Sequence, residues 1–134
     1  GVVFHTVVTG YAYSMGAIIF QVGDKRSMGY FSTMMLHSTA WIVSGEDQKI
    51  FKDYEKLSQH YQGLIGELFA RRTGKNNAAW WKRFIYSGRD RFLSPRECLE
   101  LGLVDEVCSF ESCYSDLAKL TEASFPVARQ QPPS

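Results

Sequence analysis

No stretch of this sequence is apolar over the roughly 18 residues or more that a membrane-spanning helix requires. Charge of one sign is also lacking, since 15 Lys and Arg residues accompany 14 Asp and Glu residues, which gives a formal net charge of +1. The first absence excludes a transmembrane helix, and the second removes the electrostatic reason to expect an acidic partner. We therefore predict neither a membrane nor a nucleic acid as partner.

Cysteine is scarce, and its placement excludes the usual zinc patterns. The three residues, Cys98, Cys108 and Cys113, form an odd number without metal-ligand spacing. We predict reduced thiols, a cytoplasmic location, and neither a metal nor a cofactor. A Cys108–Cys113 disulfide is the alternative.

The overall composition is that of an ordinary globular protein. Of the 134 residues, 45% are hydrophobic and 22% are charged. We predict one domain over residues 1–120, followed by a polar, proline-containing tail over residues 121–134.

A short stretch from Gly10 to Ala17 lies between an apolar segment, Val2 to Thr9, and a second one, Ala17 to Phe20. We predict a buried strand before it and a buried helix after it. A serine at such a junction, Ser14, with small residues nearby resembles a nucleophile elbow. The N–H groups of Met15 and Gly16 would then lie at a helix N-terminus, where they can stabilise an oxyanion. The alternative is that Ser14 only caps the helix.

The rest of the chain alternates short strands and helices, which predicts an α/β fold of repeated ββα units with a largely parallel sheet. A charged turn over residues 22–26 is expected at the surface. Ser94-Pro95-Arg96-Glu97 has the pattern of a capping box with proline at the first helical position. Helices are predicted over residues 77–86, 95–102 and 109–120, and strands over residues 27–31, 33–37 and 103–107. The second of these strands ends in His37, where α/β folds place their ligands; a buried histidine bonded to backbone is the alternative.

One amphipathic helix is predicted from Glu46 to Arg72. Its apolar residues recur at spacings of four and three, and its 27 residues would span about 40 Å. That length exceeds what a small core needs, which favours self-association.

Three segments together resemble the proteolytic subunit of the Clp protease. These are Tyr13 to Ala17, Met34 to His37 and Arg89 to Ser94, with Ser14, His37 and Asp90 separated by 23 and 53 residues. The segments 72–75 and 100–107 match further landmarks, so the resemblance covers about residues 4–108.

This resemblance implies a spiral of ββα units, shared with the crotonases, with a long "handle" helix. It implies a serine endopeptidase in which Ser14 is the nucleophile, His37 the general base, Asp90 the group that orients the imidazole, and the Met15 N–H an oxyanion donor. The substrate would be unfolded polypeptide, and the partners would be further copies of the chain and an AAA+ ATPase. His5, His60 and Asp105 are predicted to be structural.

The sequence departs from the family at several places. Tyr13 replaces a small residue, Ser38-Thr39 replaces Gln-Pro, and the family's N-terminal segment is not in this sequence. The chain is therefore expected to be a fragment or a shortened homologue. Three alternatives stay open: an inactive Clp-like subunit with a structural or interaction role, a crotonase-type acyl-CoA enzyme, and a Ser–Lys enzyme of the signal-peptide-peptidase kind, for which no lysine can be placed.

Overall fold

A computed structural model describes residues 1–38, 48–109 and 111–113. It has mixed α/β architecture, as predicted, and its element order begins with two ββα units. The elements are β1 (His5–Val8), β2 (Tyr11–Tyr13), α1 (Met15–Phe20), β3 (Lys25–Gly29), β4 (Thr33–Leu36), α2 (Gln48–Thr73), α3 (Ala78–Ile85), β5 (Arg91–Leu93), α4 (Pro95–Glu100) and β6 (Glu106–Cys108).

The described strands form two small sheets, where the sequence predicted one. Sheet A has the order β1-β3-β6 and is parallel throughout. Sheet B has the order β2-β4-β5, with β2 parallel and β5 antiparallel to β4. Within each of the two ββα units the chain therefore passes from sheet A to sheet B. The break at residues 9–10 separates β1 from β2, a strand that the sequence did not predict, whereas the break at residues 30–32 lies between two strands that it did predict.

Helix α3 packs against the C-terminal half of α2 and completes the core. The rings of Phe69 and Trp81 stack with their centroids 5.2 Å apart. A Cβ atom at Gly66 would lie 2.6 Å from the carbonyl oxygen of Ala78, so only glycine permits this approach of the two helices. The core also takes side chains from both sheets, namely Val8, Ala12, Met28, Met34, Leu36 and Leu93.

The ends of α3 and α4 follow local sequence signals. The Asn77 side chain accepts a hydrogen bond from the Trp80 N–H at 2.8 Å at the start of α3. Before α4, Ser94 and Glu97 form the predicted reciprocal capping box. The Ser94 N–H donates to the Glu97 carboxylate, and this bond lowers the pKa of Glu97. Gly102 follows with φ of 74°, a conformation that favours glycine.

The prediction of a buried strand over residues 2–9 is only partly right. Strand β1 begins at His5, and Val2, Val3 and Phe4 are exposed. Within β1 only Val8 is fully buried. The physical reason is that β1 lies at the edge of sheet A among the described strands, where it pairs with β3 alone.

The prediction that the charged turn lies at the surface is wrong for Arg26, which is buried in β3. Its guanidinium donates to both carboxylate oxygens of Asp105, at 3.2 and 2.7 Å, and to the side-chain oxygen of Gln21 at 2.6 Å. The Arg26 backbone N–H also donates to Asp105 at 2.8 Å. The hydrogen bonds from Arg26 lower the pKa of Asp105. A buried cation is tolerated here because its donors have acceptors.

The prediction of three reduced thiols is also wrong, because Cys108 and Cys113 form a disulfide. A single helical turn over residues 111–113 folds the chain back onto the end of β6. The two Cα atoms come within 5.5 Å of one another, a separation that suits a disulfide. Cys98 stays a free thiol, and its burial raises its pKa to about 12.

Several predictions lie outside the described residues. These are most of the loop after His37, the first two residues of the predicted long helix, most of the last helix, and the tail over residues 121–134. In the part of the chain that the structure describes, no helix combines the length and apolarity needed to cross a membrane.

Replacing Asp105 by Asn tests the buried ion pair. Near pH 7 we expect the free energy of unfolding to fall by about 1–2 kcal/mol, a discounted value because the Asp105 side chain is 42% exposed. Since the folded-state pKa of Asp105 is lowered, its stabilisation is present above the unfolded-state pKa and is lost as pH falls through the folded-state pKa. Denaturant titrations should therefore show the difference between wild type and variant shrinking below about pH 4.

The matched control is Glu111→Gln, which removes one negative charge at an exposed position. It should change the unfolding free energy by less than about 0.5 kcal/mol. A pH-independent difference between wild type and Asp105→Asn would contradict the role given to the Arg26 pair.

Candidate active site

Parallel pairing of β2 with β4 brings Ser14 beside the end of β4. Tyr13 is the ladder partner of Met35, and the Ser14 N–H donates to the Met35 carbonyl at 2.8 Å. His37 is the first residue after β4. Because the carboxyl ends of parallel strands meet at one edge of a sheet, Ser14 and His37 emerge side by side.

Antiparallel pairing of β5 with β4 brings Asp90 to the same edge. Leu36 is the ladder partner of Arg91, so the register continues to His37 opposite Asp90. Arg91 anchors β5 against α3, with its Nε donating to the Phe84 carbonyl at 3.3 Å and its guanidinium 4.9 Å from the centre of the Phe84 ring. The structure thus brings together the three residues that the sequence singled out.

Ser14 occupies a strained turn between β2 and α1. Its φ of 54° and ψ of −116° are unfavourable for any residue with a Cβ atom. The alternative that Ser14 only caps the helix is wrong, because its side chain makes no capping hydrogen bond. Instead, its Oγ lies 2.7 Å from Nε2 of His37. A hydroxyl in this contact can pass its proton to a neutral imidazole.

Asp90 lies on the other side of the imidazole at a longer distance. Its Oδ1 is 3.8 Å from Nδ1 of His37, beyond hydrogen-bond range but within reach of an ion pair. The Asp90 side chain is 59% exposed and that of His37 is 32% exposed. The carboxylate can therefore stabilise an imidazolium electrostatically, with water screening part of the interaction.

The first turn of α1 lies directly after Ser14. The N–H groups of Ala17 and Ile18 donate to the Ser14 carbonyl at 3.1 and 3.3 Å. Those of Met15 and Gly16 come earlier and have no acceptor inside the helix. The Met15 amide is therefore in the place that the sequence predicted for an oxyanion donor.

A small apolar cavity opens beside the Ser14 hydroxyl. Sequence reasoning did not identify its walls, because they come from four elements far apart in the chain. The only local signals were the apolar faces of α2 and α3. Burial raises the pKa of the Tyr86 hydroxyl at its edge. The lining residues are Ser14, Met15, Ile18, Leu36, His37, Ile65, Phe69, Ile85 and Tyr86.

The other histidine in a polar cluster, His5, lies on sheet A. Its Nε2 is 2.7 Å from the Ser27 Oγ, which donates to the Glu106 carboxylate at 2.7 Å. Ser27 is buried, and the hydrogen bonds from Ser27 and Lys25 lower the pKa of Glu106. The Ser27 hydroxyl donates its hydrogen bond to a carboxylate, so the cluster differs from the Ser14 site. Among the described residues no group of three or more His, Cys, Asp or Glu side chains is placed to hold a metal ion.

Comparison of the sequence with known proteins identifies the family of this chain. The family model described as Clp protease matches residues 3–111, and the chain belongs to that family. It is 33% identical over 115 residues to the ATP-dependent Clp protease proteolytic subunit 1 of Protochlamydia amoebophila (strain UWE25), covering 82% of this chain and 54% of that protein. It is 30% identical over 104 residues to the ATP-dependent Clp protease proteolytic subunit of Chlorella vulgaris, covering 76% and 50%. The chain thus spans about half the length of these relatives.

Two substitutions of Ser14 test the strain at the elbow. Ser14→Ala and Ser14→Gly both remove the hydroxyl, but only alanine keeps a Cβ atom at φ of 54°. We expect the free energy of unfolding of Ser14→Gly to exceed that of Ser14→Ala by about 1 kcal/mol, because the relief of backbone strain exceeds the entropic cost of glycine. Chemical denaturation of both variants measures the difference.

The same pair of substitutions at an exposed, ordinary helical position supplies the control. At Gln59 in α2, alanine should instead be the more stable variant by about 1 kcal/mol. A Ser14→Gly variant less stable than Ser14→Ala would show that the elbow stores no strain.

Proposed function

We propose that this chain carries the catalytic residues of a Clp-type serine endopeptidase that hydrolyses peptide bonds of unfolded polypeptides. The observation that carries the proposal is the 2.7 Å contact between the Ser14 hydroxyl and His37 at a strained elbow. Membership of the Clp protease family supports the reaction class.

In this mechanism His37 removes the proton from Ser14 as the oxygen attacks the carbonyl carbon of the substrate. The C–N bond then breaks, and the imidazolium returns the proton to the leaving amine. Water hydrolyses the acyl-enzyme by the same route, with His37 again acting as the base. The apolar cavity beside Ser14, with walls from α1, β4, α2 and α3, provides a surface against which an apolar side chain of the substrate packs.

Two further groups stabilise charge in this mechanism. The Asp90 carboxylate stabilises the imidazolium and orients the ring, a role that its position opposite Nδ1 supports. The Met15 N–H donates to the oxyanion of the tetrahedral intermediate, which the position of Met15 at the start of α1 supports.

The experiment is reaction of the purified chain with a fluorophosphonate, with the modified residue mapped by mass spectrometry. We expect labelling at Ser14, because a serine activated by a neighbouring base attacks phosphorus as it attacks a carbonyl. Ser14→Ala should abolish labelling, and His37→Ala should slow it by at least about a hundredfold. Asp90→Asn should slow it less than His37→Ala, since Asp90 makes the longer contact.

The matched control is His60→Ala, which removes an exposed histidine of α2. It should label at the wild-type rate. A second version of the chain is extended at its N-terminus with the corresponding segment of a relative. If neither this version nor the chain itself is labelled, the peptidase proposal is contradicted. The result would favour an inactive Clp-like subunit, a reading that the exposed Asp90 and the bulky Tyr13 beside the serine support. A crotonase-type enzyme receives no specific support from the described residues.

We also propose that the chain self-associates through residues 50–64 of α2. Six large apolar side chains of this stretch are 40–60% exposed when the chain is considered alone. A contiguous exposed surface of this kind indicates contact with another protein surface. These side chains repeat at helical spacing and so form one stripe. They are Ile50, Phe51, Tyr54, Leu57, Tyr61 and Leu64.

Leu57→Glu tests this stripe by placing a charge at its centre. We expect the sedimentation coefficient to shift to that of a smaller species, because burial of an unpaired carboxylate in an apolar contact is unfavourable. Gln59→Glu, on the opposite side of α2, is the control and should leave the assembly unchanged. A wild-type chain that sediments as a monomer at all concentrations would contradict self-association.

Two further assignments rest on the relatives. Their names describe them as ATP-dependent, which supports an AAA+ ATPase as the partner that delivers unfolded substrate. The cytoplasmic location predicted from the sequence stays a prediction.

A further inference from the structure

Three aromatic side chains lie exposed on one face of sheet B. Tyr11 is 77%, Tyr13 37% and Phe92 58% exposed. The Tyr11 and Tyr13 rings have their centroids 5.2 Å apart, and the Tyr13 and Phe92 rings meet edge to face at 5.9 Å. We call Tyr11, Tyr13 and Phe92 the aromatic row.

The register of sheet B explains why these rings meet. Met35 of the central strand is the ladder partner of both Tyr13 and Phe92, so the three side chains share one face. Tyr13 and Phe92 come from the two outer strands of the sheet. Their rings contact each other over the half-buried Met35 and form a continuous apolar surface.

The aromatic row is continuous with the candidate active site. Tyr13 directly precedes Ser14, and Phe92 lies two residues after Asp90, on the same face of the strand by alternation. Leu36 faces the opposite side from Met35 and lines the cavity described above. Apolar surface therefore lies on both sides of the Ser14 hydroxyl. The cavity forms one of these surfaces, and the aromatic row forms the other.

A peptide whose carbonyl carbon lies at the Ser14 Oγ must pass close to Tyr13. Neighbouring side chains of an extended peptide point to opposite sides and are separated by about 3.3 Å along the chain. A peptide with one side chain against the cavity therefore directs an adjacent side chain towards the aromatic row. The exposed rings of the row favour an apolar side chain over glycine at that position.

We propose that Tyr13, supported by Phe92, is a specificity-determining residue that binds an apolar side chain of the substrate next to the residue in the cavity. This inference rests on the proposed peptidase function and names a second determinant of its substrate class. Tyr13 stands where the resembling family usually carries a small residue, so the selectivity is a property of this chain.

The experiment compares peptides that carry leucine or glycine at each position from three residues before to two residues after the cleaved bond. The readout is the ratio of kcat/KM for the leucine and glycine peptides in each variant, so that a change in the nucleophile itself cancels. In wild type we expect leucine to be favoured at one position besides that of the cavity. Tyr13→Ala and Phe92→Ala should each lower that ratio about threefold to tenfold, and Tyr13→Phe should keep it.

Phe31→Ala is the matched control, because Phe31 is also an exposed aromatic residue, at 89%, but lies in the turn between β3 and β4. It should leave every ratio unchanged. A second measurement, the affinity of the same uncleaved peptides for Ser14→Ala and for Ser14→Ala combined with Phe92→Ala by fluorescence anisotropy, gives the ratio should Tyr13→Ala fold poorly or turnover be slow.

The outcomes separate the two proposals. Fluorophosphonate labelling at Ser14 together with leucine-to-glycine ratios that Tyr13→Ala and Phe92→Ala do not change would overturn the aromatic row while leaving the peptidase proposal standing. No labelling of Ser14 in the chain or its extended version would overturn both.

Discussion

The candidate site depends on the hydrogen-bond register of one strand, β4, with its two neighbours. On one side, parallel pairing with β2 brings the Ser14 N–H to the Met35 carbonyl at 2.8 Å. On the other side, antiparallel pairing with β5 places Asp90 opposite His37. A slip of one residue in either pairing would send the side chains to the other face and separate the serine, histidine and aspartate. The chemistry proposed for this chain therefore follows from backbone pairing before any side-chain contact is considered.

The sequence was most informative where structure depends on neighbouring residues. The capping box at Ser94 and Glu97 encodes a local geometry and is present as predicted, and the small residues around Ser14 permit the sharp turn that follows β2. Structure that depends on distant residues was missed. The local sequence around Arg26 indicates a surface charge, because its acceptor, Asp105, lies 79 residues later in the chain. The short strand β5 has little pattern of its own and exists because β4 pairs with it.

The site residues illustrate the same division. Ser14, His37 and Asp90 could be identified because they lie in short motifs with a typical order and spacing. The cavity walls could not be identified, since Ile65, Phe69 and Ile85 have the pattern of ordinary core residues on amphipathic helices. Only the packing of α3 against α2 decides that they face the serine. The strain at Ser14 likewise appears only in its backbone angles, although the small flanking residues allow it.

The weakest contact of the site links its chemistry to assembly. Asp90 and His37 are separated by 3.8 Å, and the carboxylate is more than half exposed, so water and salt screen their interaction. The interaction energy of two charges rises as the effective dielectric constant around them falls. A neighbouring subunit that covered Asp90 would strengthen the pair without moving any residue of this chain. The exposed apolar stripe of α2 supplies a reason for subunits to associate, and an assembly that excluded water from the site would strengthen the attraction between the Asp90 carboxylate and the imidazolium that forms when Ser14 loses its proton.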